Sequence, residues 1–378
     1  MAAYYYPGFH ADPARDILRK GGHVGERSLL DDPAHTAAYP DVRRPRQPLV
    51  EPTAQSLADD AALALSFGVD AFLWCWYWDR GRLHFNKPLE LWKHSPLPMR
   101  FRYALMWTNK RPHFELPMGR THNPAEHRQR LVTTDVTDFG RMAEHLVAEH
   151  FSSPHYLKIN GKPLVSIFLV RELMRQHGTA GMRQLLDTAR DVAKVHGLPG
   201  ICFVAVVHQL RRRRRWASWL GLDRWTGTMN LREAGFDAAS TYVYLPHWQG
   251  PALQSYGELV RERPAEWPKL EASLGVPLWP SVSPGWDARV RGEPIVPAPE
   301  AHPWAPLIRD ETPAEFGELL RTWKRYAEPR EVPLLTVASW NEWTEGHAVA
   351  PCDRHGDGMM RQLREIMGPA DPADGDTR

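Results

Sequence analysis

Two glutamates lie three residues apart near the end of the sequence, in Ser339-Trp-Asn-Glu-Trp-Thr-Glu-Gly346. Glu342 and Glu345 follow an apolar run that predicts a strand, where charge would not help a buried parallel sheet. A carboxyl pair can protonate a glycosidic oxygen and assist at the anomeric carbon, and neighbouring carboxylates push their pKa values apart. The pair therefore predicts chemistry at a glycosidic bond. The plainer interpretation is two solvated loop glutamates paired with Arg289 or another base.

Eight short apolar runs alternate with helix-length segments, a pattern typical of repeated βα units around a parallel sheet. We therefore expect an α/β protein with a single (β/α)8 barrel over residues 1–370, with loop insertions, and a disordered tail at 371–378. The predicted strands cover residues 2–9, 70–78, 100–109, 164–169, 201–207, 236–244, 276–286 and 334–343.

Local signals place two of the helices. Residues 53–67 are amphipathic and precede Gly68, and glycine is favoured where a helix ends in the left-handed conformation. Thr312-Pro-Ala-Glu315 is a capping box with proline at the first helical position. A second helix is therefore expected from this box to about Tyr326.

In a barrel of this kind the loops after the strands gather at one face, where barrel enzymes place their active sites. Aromatic rings there could cover the apolar face of a sugar while amides and carboxylates hold its hydroxyls. Side chains alternate along the strand 70–78, and Trp76 and Trp78 are the ones expected at the barrel mouth. The candidate substrate-binding residues are Tyr5, Tyr6, His10, Trp76, Trp78, Trp107, Asn109, Tyr242, Trp286, Asp287, Trp340, Asn341 and His347.

Composition narrows the class of protein. The 378 residues are 43% hydrophobic and 24% charged, which fits a globular protein with a large core, and a net charge of +2 gives no global reason to expect nucleic acid. No run reaches the roughly 18 to 20 apolar residues of a membrane span, and no signal-type segment opens the sequence. A cytoplasmic location is expected, unless the true start lies upstream. Cys75 and Cys202 are expected in the core, and neither a metal nor a cofactor is expected.

Several motifs in order resemble the WbsX-type family of glycosyltransferases, itself similar to glycoside hydrolase family 99, the endo-α-mannosidase and endo-α-mannanase barrels. The resemblance implies that Glu342 is a base that helps the sugar's own 2-hydroxyl attack the anomeric carbon. It implies that Glu345 is the general acid/base at the glycosidic oxygen, with retention and no covalent enzyme intermediate. The motifs are Tyr5-Tyr-Pro-Gly-Phe-His10, Phe67-Gly-Val-Asp-Ala-Phe-Leu-Trp-Cys-Trp-Tyr-Trp78, Tyr156-Leu-Lys-Ile-Asn-Gly-Lys-Pro-Leu164, Pro284-Gly-Trp-Asp287 and Trp340-Asn-Glu-Trp-Thr-Glu-Gly346.

Two loops depart from that family. Relatives commonly have a run like Trp-Ala-Asn-Glu-Asn-Trp after the third strand, where this chain reads Trp107-Thr-Asn-Lys-Arg-Pro112, so Lys110 replaces a carboxylate. An early segment like Gly-Phe-Thr-Glu-Trp is reduced to Gly22-His-Val-Gly-Glu-Arg27, where Glu26 alone matches. The basic Lys110 and Arg111 favour an anionic or sulfated sugar.

Three functions remain open. The leading expectation is a family 99-like, endo-acting hydrolase of an α-linked glycan, either mannose-containing or anionic. The first alternative is a WbsX-type glycosyltransferase in lipopolysaccharide or surface-polysaccharide biosynthesis, although no diphosphate site is evident. The second is a non-catalytic glycan-binding barrel, since a fold does not decide function. The expected partner is an oligo- or polysaccharide, and the oligomeric state is left open. Five arginines at 211–215 predict either an anion-binding loop or, as their mutual repulsion favours, a solvated insertion.

Overall fold

The computed structural model describes residues 1–12, 26–112, 116–120, 129–208 and 229–368. The arginine run and the predicted tail at 371–378 lie outside these ranges. In chain order, the strands are β1 (Ala2–Tyr5), β2 (Ala71–Asp79), β3 (Arg82–His84), β4 (Arg102–Trp107), β5 (Lys158–Ile159), β6 (Lys162–Ile167), β7 (Cys202–Val206), β8 (Ala238–Ser240), β9 (Leu253–Ser255), β10 (Leu278–Trp279), β11 (Ser281–Val282), β12 (Leu307–Arg309) and β13 (Thr336–Val337).

Nine of these described strands form one parallel ladder, in the order β10-β8-β7-β6-β4-β2-β1-β13-β11. Pro280 separates β10 from β11, and proline has no N–H to donate to a ladder. Because β10 pairs with β8 and β11 pairs with β13, the two halves of this one strand bring the ends of the ladder together. The result is a nearly closed (β/α)8 barrel. The predicted fold is confirmed. The strands β2 and β6 are as long as the apolar runs that predicted them, and the other barrel strands are shorter than their runs.

The helices lie between the strands and pack outside the barrel. Thr53 caps one helix by accepting a hydrogen bond from the backbone N–H of Ser56, and Gly68, with φ of 85°, lies just beyond its end. Thr312 caps another by accepting from the N–H of Glu315 at 3.2 Å. Both predicted helices are confirmed to within one residue at either end. The described α-helices are Arg27–Asp31, Pro33–Ala38, Ala54–Ser66, Lys87–Lys93, Val136–Leu146, Val170–Val195, Tyr256–Glu262, Trp267–Leu274, Pro313–Ala327 and Gly358–Met367.

A single apolar core fills the barrel and the layer between strands and helices. Residues 71–78 of β2 are all buried, as expected for a parallel strand covered on both faces. Cys75 and Cys202 are free and buried, as predicted. No helix among the described residues has the length and apolar character to cross a membrane.

Candidate active site at the barrel mouth

The loop after β13 carries both glutamates of the predicted pair. Asn341 fixes this loop to the end of β1, because its side-chain amide accepts from the N–H of Tyr6 at 2.7 Å and donates to the carbonyl of Tyr6 at 2.9 Å. The backbone N–H of Glu342 donates to the hydroxyl of Ser339 at 2.8 Å. Glu345 then ends the short 3-10 turn Trp343–Glu345. Both carboxylates therefore project from a backbone held on two sides.

Close packing of a second loop supports Glu345 from behind. Gly346 has φ of 66°, and a Cβ there would lie 2.7 Å from Asp287, so glycine is required at this approach. The N–H of Asp287 donates to the carbonyl of Glu345 at 2.8 Å. The loop that follows β11 thus sets the position of the second glutamate.

Arg291, which ends the short turn Arg289–Arg291 after β11, lies among three carboxylates. Its Nη2 donates to Oε1 of Glu342 at 2.6 Å and to Oε2 of Glu26 at 3.0 Å, and its Nη1 donates to Oε1 of Glu345. Its Nε donates to the hydroxyl of Thr344 at 3.0 Å, and that hydroxyl donates to Glu26 at 2.7 Å. One buried guanidinium therefore joins both candidate catalytic glutamates to a third acid. We call Arg291, Glu26, Glu342 and Glu345 the Arg291 cluster.

The two glutamates of the pair differ in their pKa. Burial raises the pKa of Glu342 well above its ordinary value of 4.5, since the attraction of Arg291 does not overcome burial and the negative charges of Glu345 and Glu26. Burial also acts against ionisation of Glu345, but the charge of Arg291 and the hydrogen bond from His347 outweigh it and lower its pKa. These directions favour a proton on Glu342 over one on Glu345. This is the reverse of the protonation that the resemblance implies for a general acid at Glu345.

His347 lies behind Glu345 and not on the open side of the cleft. Its Nε2 is 3.0 Å from Oε2 of Glu345, and burial lowers the pKa of the imidazole. The ring stacks on that of Trp286 with centroids 5.7 Å apart. The neutral histidine donates to the carboxylate and orients it. His347 and Trp286 therefore influence the reaction by positioning Glu345.

A narrow cleft opens over the pair. The rings that line it are those of Tyr6, Tyr77, Phe85, Phe168 and Tyr242, and the cationic side chains that line it are Lys110, Arg130 and Arg291. Rings beside ionisable groups are the combination that sugar recognition requires. Tyr6 and Tyr242 are thus placed in the cleft with Glu342 and Glu345, and their role as substrate-binding residues remains a prediction.

The predicted orientation of the tryptophans is wrong. Trp76 and Trp78 face outward, where they pack on the ring of His145 at 5.9 and 5.3 Å, and Cys75 and Tyr77 face the cleft instead. Trp107 also faces outward and packs on Phe139 with centroids 5.7 Å apart. Both faces of a buried parallel strand are apolar, so alternation alone does not reveal which face is inside.

Other predicted residues lie near the mouth without lining this cleft. Tyr5, His10 and Trp340 line a separate groove of ≈ 1340 Å³ on the outer side of β1, where Tyr5 donates to Asp60 at 3.0 Å. Asn109 accepts from the N–H of Leu169 at 2.7 Å and donates to its carbonyl at 3.3 Å. Asn341 joins two loops in the same manner, and Asp287 pairs with Arg289 at 2.7 Å. The contacts of these residues give each of them a structural role. That role is a stronger interpretation for them than a direct contact with substrate.

Arg291 is the main site residue that sequence reasoning missed. It follows Trp286-Asp-Ala-Arg-Val, and in this stretch the sequence suggests Arg289 as the basic partner of the glutamates. The structure pairs Arg289 with Asp287 and Asp41 instead. Glu26, the remaining match in a degraded motif, does lie in the cluster. Within the described ranges, no group of three or more His, Cys, Asp or Glu side chains is arranged to hold a metal ion.

A (β/α)8 barrel with a carboxylate pair beside tyrosine rings at its mouth defines the class of carbohydrate-active barrel proteins. The particular family follows from the sequence, since the family described as Glycosyltransferase WbsX matches residues 1–363. The chain belongs to this family. The resemblance inferred from its motifs is thereby confirmed.

The comparison with curated proteins gives distant relatives. The uncharacterized protein WxcX of Xanthomonas campestris pv. campestris is 21% identical over 404 residues, which cover 97% of this chain. The same protein from strain B100 is also 21% identical, over 400 residues and 97% of this chain. The chain spans about half, 49%, of the length of each relative.

The structural comparison shows the fold. Two structures of the GH99 endo-α-mannosidase from Bacteroides thetaiotaomicron, one in complex with bis-tris-propane, are similar to this chain. The complex has a TM-score of 0.59 at 13% identity, and covers 97% of this chain and 95% of the other. The second has a TM-score of 0.62 at 12% identity and covers 97% and 96%. A glycoside hydrolase-like protein, at 12% identity, has a TM-score of 0.54 and covers 97% and 93%.

Proposed function

We propose that this chain is an endo-acting glycoside hydrolase that cleaves an α-linked glycan with retention, using Glu342 and Glu345. The observation that carries the proposal is the pair itself, held by Arg291 at the mouth of the barrel beside a ring-lined cleft. Membership of a glycan-processing family and the fold shared with endo-α-mannosidases support it. Neither requires that the glycan be a mannan.

In the proposed reaction, the 2-hydroxyl oxygen of the sugar attacks its own anomeric carbon and gives its proton to Glu342. The bond from that carbon to the leaving oxygen breaks, and the leaving oxygen takes the proton of Glu345. Water then attacks the anomeric carbon and gives a proton to Glu345. The bond between that carbon and the 2-oxygen breaks, and the 2-oxygen regains its proton from Glu342. The net change is the addition of one water molecule, and both carboxyl groups return to their starting states.

This sequence starts with Glu342 ionised and Glu345 protonated, whereas the pKa directions favour the opposite. The proton can change places if a sugar oxygen displaces Nη1 of Arg291 from Glu345. Arg291 would then remain on Glu342 and Glu26, and Glu345, without its cation in a buried site, would take up the proton. In the proposal, binding of the glycan therefore also protonates the general acid, Glu345.

Sugar transfer is the second candidate, and the family membership favours it. Transfer needs the same stabilisation of an electron-poor anomeric carbon, with a sugar hydroxyl in place of water as the acceptor. A binding protein without catalysis would have the same cleft but no need for the Glu342 and Glu345 carboxylates.

The first experiment is product release from neutral and sulfated α-linked polysaccharides, without nucleotide sugar. It compares the wild type with Glu342→Gln, Glu345→Gln and the control Glu328→Gln, which replaces a glutamate on the exposed surface. Release by the wild type and the control, with a loss of roughly 100-fold or more in both cleft variants, is expected for acid–base catalysis. Equal release by all four proteins rules out the assigned pair.

Aryl α-glycosides of the released oligosaccharide then assign the two roles. A good leaving group needs no protonation, so Glu345→Gln should cleave the aryl substrate far better than the natural glycan. If Glu342→Gln instead cleaves the aryl substrate far better than the natural glycan, Glu342 is the general acid and Glu345 is the base. Consumption of a nucleotide sugar without release of product from any glycan would replace hydrolysis by transfer.

A further inference from the structure

Lys110 is a charged side chain of the cleft that takes no part in the proposed hydrolysis. It lies three residues beyond the end of β4 and lines the cleft together with Glu342 and Glu345. Its ammonium group is 5.0 Å from the centroid of the Phe168 ring. The next residue, Arg111, does not line the cleft and pairs with Asp79 at 2.6 Å. Of the two basic residues noted in this loop, Lys110 alone faces the reacting pair.

In the part of the chain that the structure describes, no carboxylate lies within ion-pair distance of Lys110. The acids nearest to it in the cleft are already bound to Arg291. Burial lowers the pKa of Lys110 to about 8, and the neighbouring positive charge of Arg130 adds to this effect, while Glu345 and Glu342 act against it. An ammonium group that is removed from water and that no described carboxylate neutralises is unfavourable, and an anion brought by a ligand would remove that penalty.

A role in balancing the charge of the Arg291 cluster is the competing interpretation. Arg291 makes direct contact with all three acids, at 2.6 Å to Glu342 and 3.0 Å to Glu26, whereas Lys110 contacts none of them. Lys110 stands instead beside Arg130 and the Phe168 ring. A cation in the cleft that contacts none of the three acids favours a negative group between it and the sugar ring.

We propose that Lys110 binds an acidic substituent of the sugar at the reacting bond, so that the substrate is an anionic α-glycan. The inference rests on the proposed glycan-processing function and names its substrate class. Because Lys110 and the glutamate pair line one cleft, the acidic group belongs to the sugar at the bond or to its neighbour. Carboxylate, sulfate and phosphate share the required chemistry.

The test is a set of calorimetric titrations with small probes, which need no turnover. The neutral probes are methyl α-mannoside and methyl α-glucoside, and each is compared with its uronate, its 6-sulfate and its 6-phosphate. The proteins are the wild type, Lys110→Met, Lys110→Arg and the matched control Arg111→Met. The last variant also removes one positive charge from the loop, but from outside the cleft.

The wild type and Arg111→Met are expected to bind one acidic form at least about tenfold more tightly than its neutral parent, as one charged hydrogen bond allows. Lys110→Met should bind both alike, and Lys110→Arg should retain part of the preference. The acidic form that shows the preference identifies the substituent. Equal binding by the wild type, no binding of any acidic probe, or an undiminished preference in Lys110→Met overturns the proposal.

Product release separates this inference from the proposed function. Cleavage of a neutral α-glycan at the same rate by the wild type and Lys110→Met would retain the hydrolase and reject the anionic substrate. A preference that Lys110→Met loses, without cleavage of any glycan, would retain the anion site and reject hydrolysis. A shifted pH profile in Lys110→Met with no change in preference would establish the charge-balancing role and also reject the proposal.

Discussion

The Arg291 cluster and the ion pairs behind Gly346 contain the same kinds of side chain in different proportions. In the second group, Arg43, Arg289 and Arg354 face Asp41, Asp287 and Glu311, and we call these six residues the balanced cluster. Its separations include 3.2 Å from Arg43 to Glu311 and 2.7 Å from Arg289 to Asp287. In the Arg291 cluster, one arginine serves three acids.

The proportions explain the opposite pKa shifts of Glu342 in one cluster and of Glu311 and Asp41 in the other. In the balanced cluster, burial would raise the pKa of Glu311, but the nearby His355 imidazole, 3.9 Å away, and the charge of Arg43 outweigh it and lower the pKa. Burial is likewise outweighed for Asp41, whose pKa is lowered by the hydrogen bond and charge of Arg289. In the Arg291 cluster, burial and the extra acids raise the pKa of Glu342. Where arginines and acids are equal in number, the acids are ionised and their ion pairs hold the loop in place. Where acids outnumber arginines, one carboxyl group keeps a proton that a reaction can use.

Replacing Arg291 by Met is expected to have the largest effect. Three buried acids would lose their cation, which should lower the free energy of unfolding by about 3–5 kcal/mol and abolish turnover. The loss should grow as the pH rises, because the acids then ionise without a partner. Urea denaturation at acid and alkaline pH measures both effects. Wild-type stability at alkaline pH would show that the cluster is not held by Arg291.

Arg43→Met tests the balanced cluster and should have a smaller effect. Arg43 is buried and also donates to the carbonyl of Gly346 at 2.7 Å, but Glu311 keeps Arg354 at 3.1 Å. A loss of about 2 kcal/mol is expected from the same denaturation experiment. Since Gly346 follows Glu345, turnover should fall while the pH profile of the reaction keeps its shape. A displaced pH profile would contradict the division into two clusters.

The pH dependence of stability should differ in sign between Glu342 of the Arg291 cluster and Glu311 of the balanced cluster. A raised pKa at Glu342 contributes stability that is fully present below its ordinary value of 4.5 and is lost as the pH rises through the raised value. As the pH rises, the free energy of unfolding of Glu342→Gln should therefore fall less steeply than that of the wild type. The difference in slope should be at most about 1.4 kcal/mol per pH unit.

Glu311→Gln serves as the opposite control. A lowered pKa at Glu311 contributes stability above 4.5 that is lost as the pH falls, so this variant should differ from the wild type on the alkaline side of 4.5 and approach it in acid. Denaturation curves from pH 3 to 9 compare the variants. Parallel curves for all three proteins would remove the distinction between the clusters.

Arg354→Gln should have the smallest effect. The Arg354 side chain is 38% exposed, and its partner Glu311 keeps Arg43. A change of about 0.5 kcal/mol or less is expected, as for other exposed ion pairs. A loss as large as that of Arg43→Met would show that the two arginines act as one unit.

The fold was predictable because its signals are local. Strand-length apolar runs gave all eight barrel strands, and the capping residues Thr53 and Thr312 gave two helix starts. Prediction failed where long-range packing decides the outcome. Trp76 and Trp78 lie on a strand that is buried on both faces, so the sequence carries no sign of which face points inward.

The candidate site was predictable to a similar extent. The glutamate pair was visible from its spacing, and Tyr6 and Tyr242 were visible at the ends of predicted strands. The arginine that joins the pair was not visible, because Arg291 meets Glu26 across 265 positions of the chain. No local pattern distinguishes Arg291 from Arg289, which binds different partners two residues earlier.

The amide of Asn341 bonds to the backbone of Tyr6 across 335 positions, and these two hydrogen bonds join the first barrel strand to the loop after the last. Contacts between such distant positions form late in folding, since a very long loop must close before they can be made. We therefore expect a newly synthesised chain to assemble the side of the cleft formed by β2 and β4 before Glu342 and Glu345 reach it. Catalytic competence would therefore appear only with closure of the barrel.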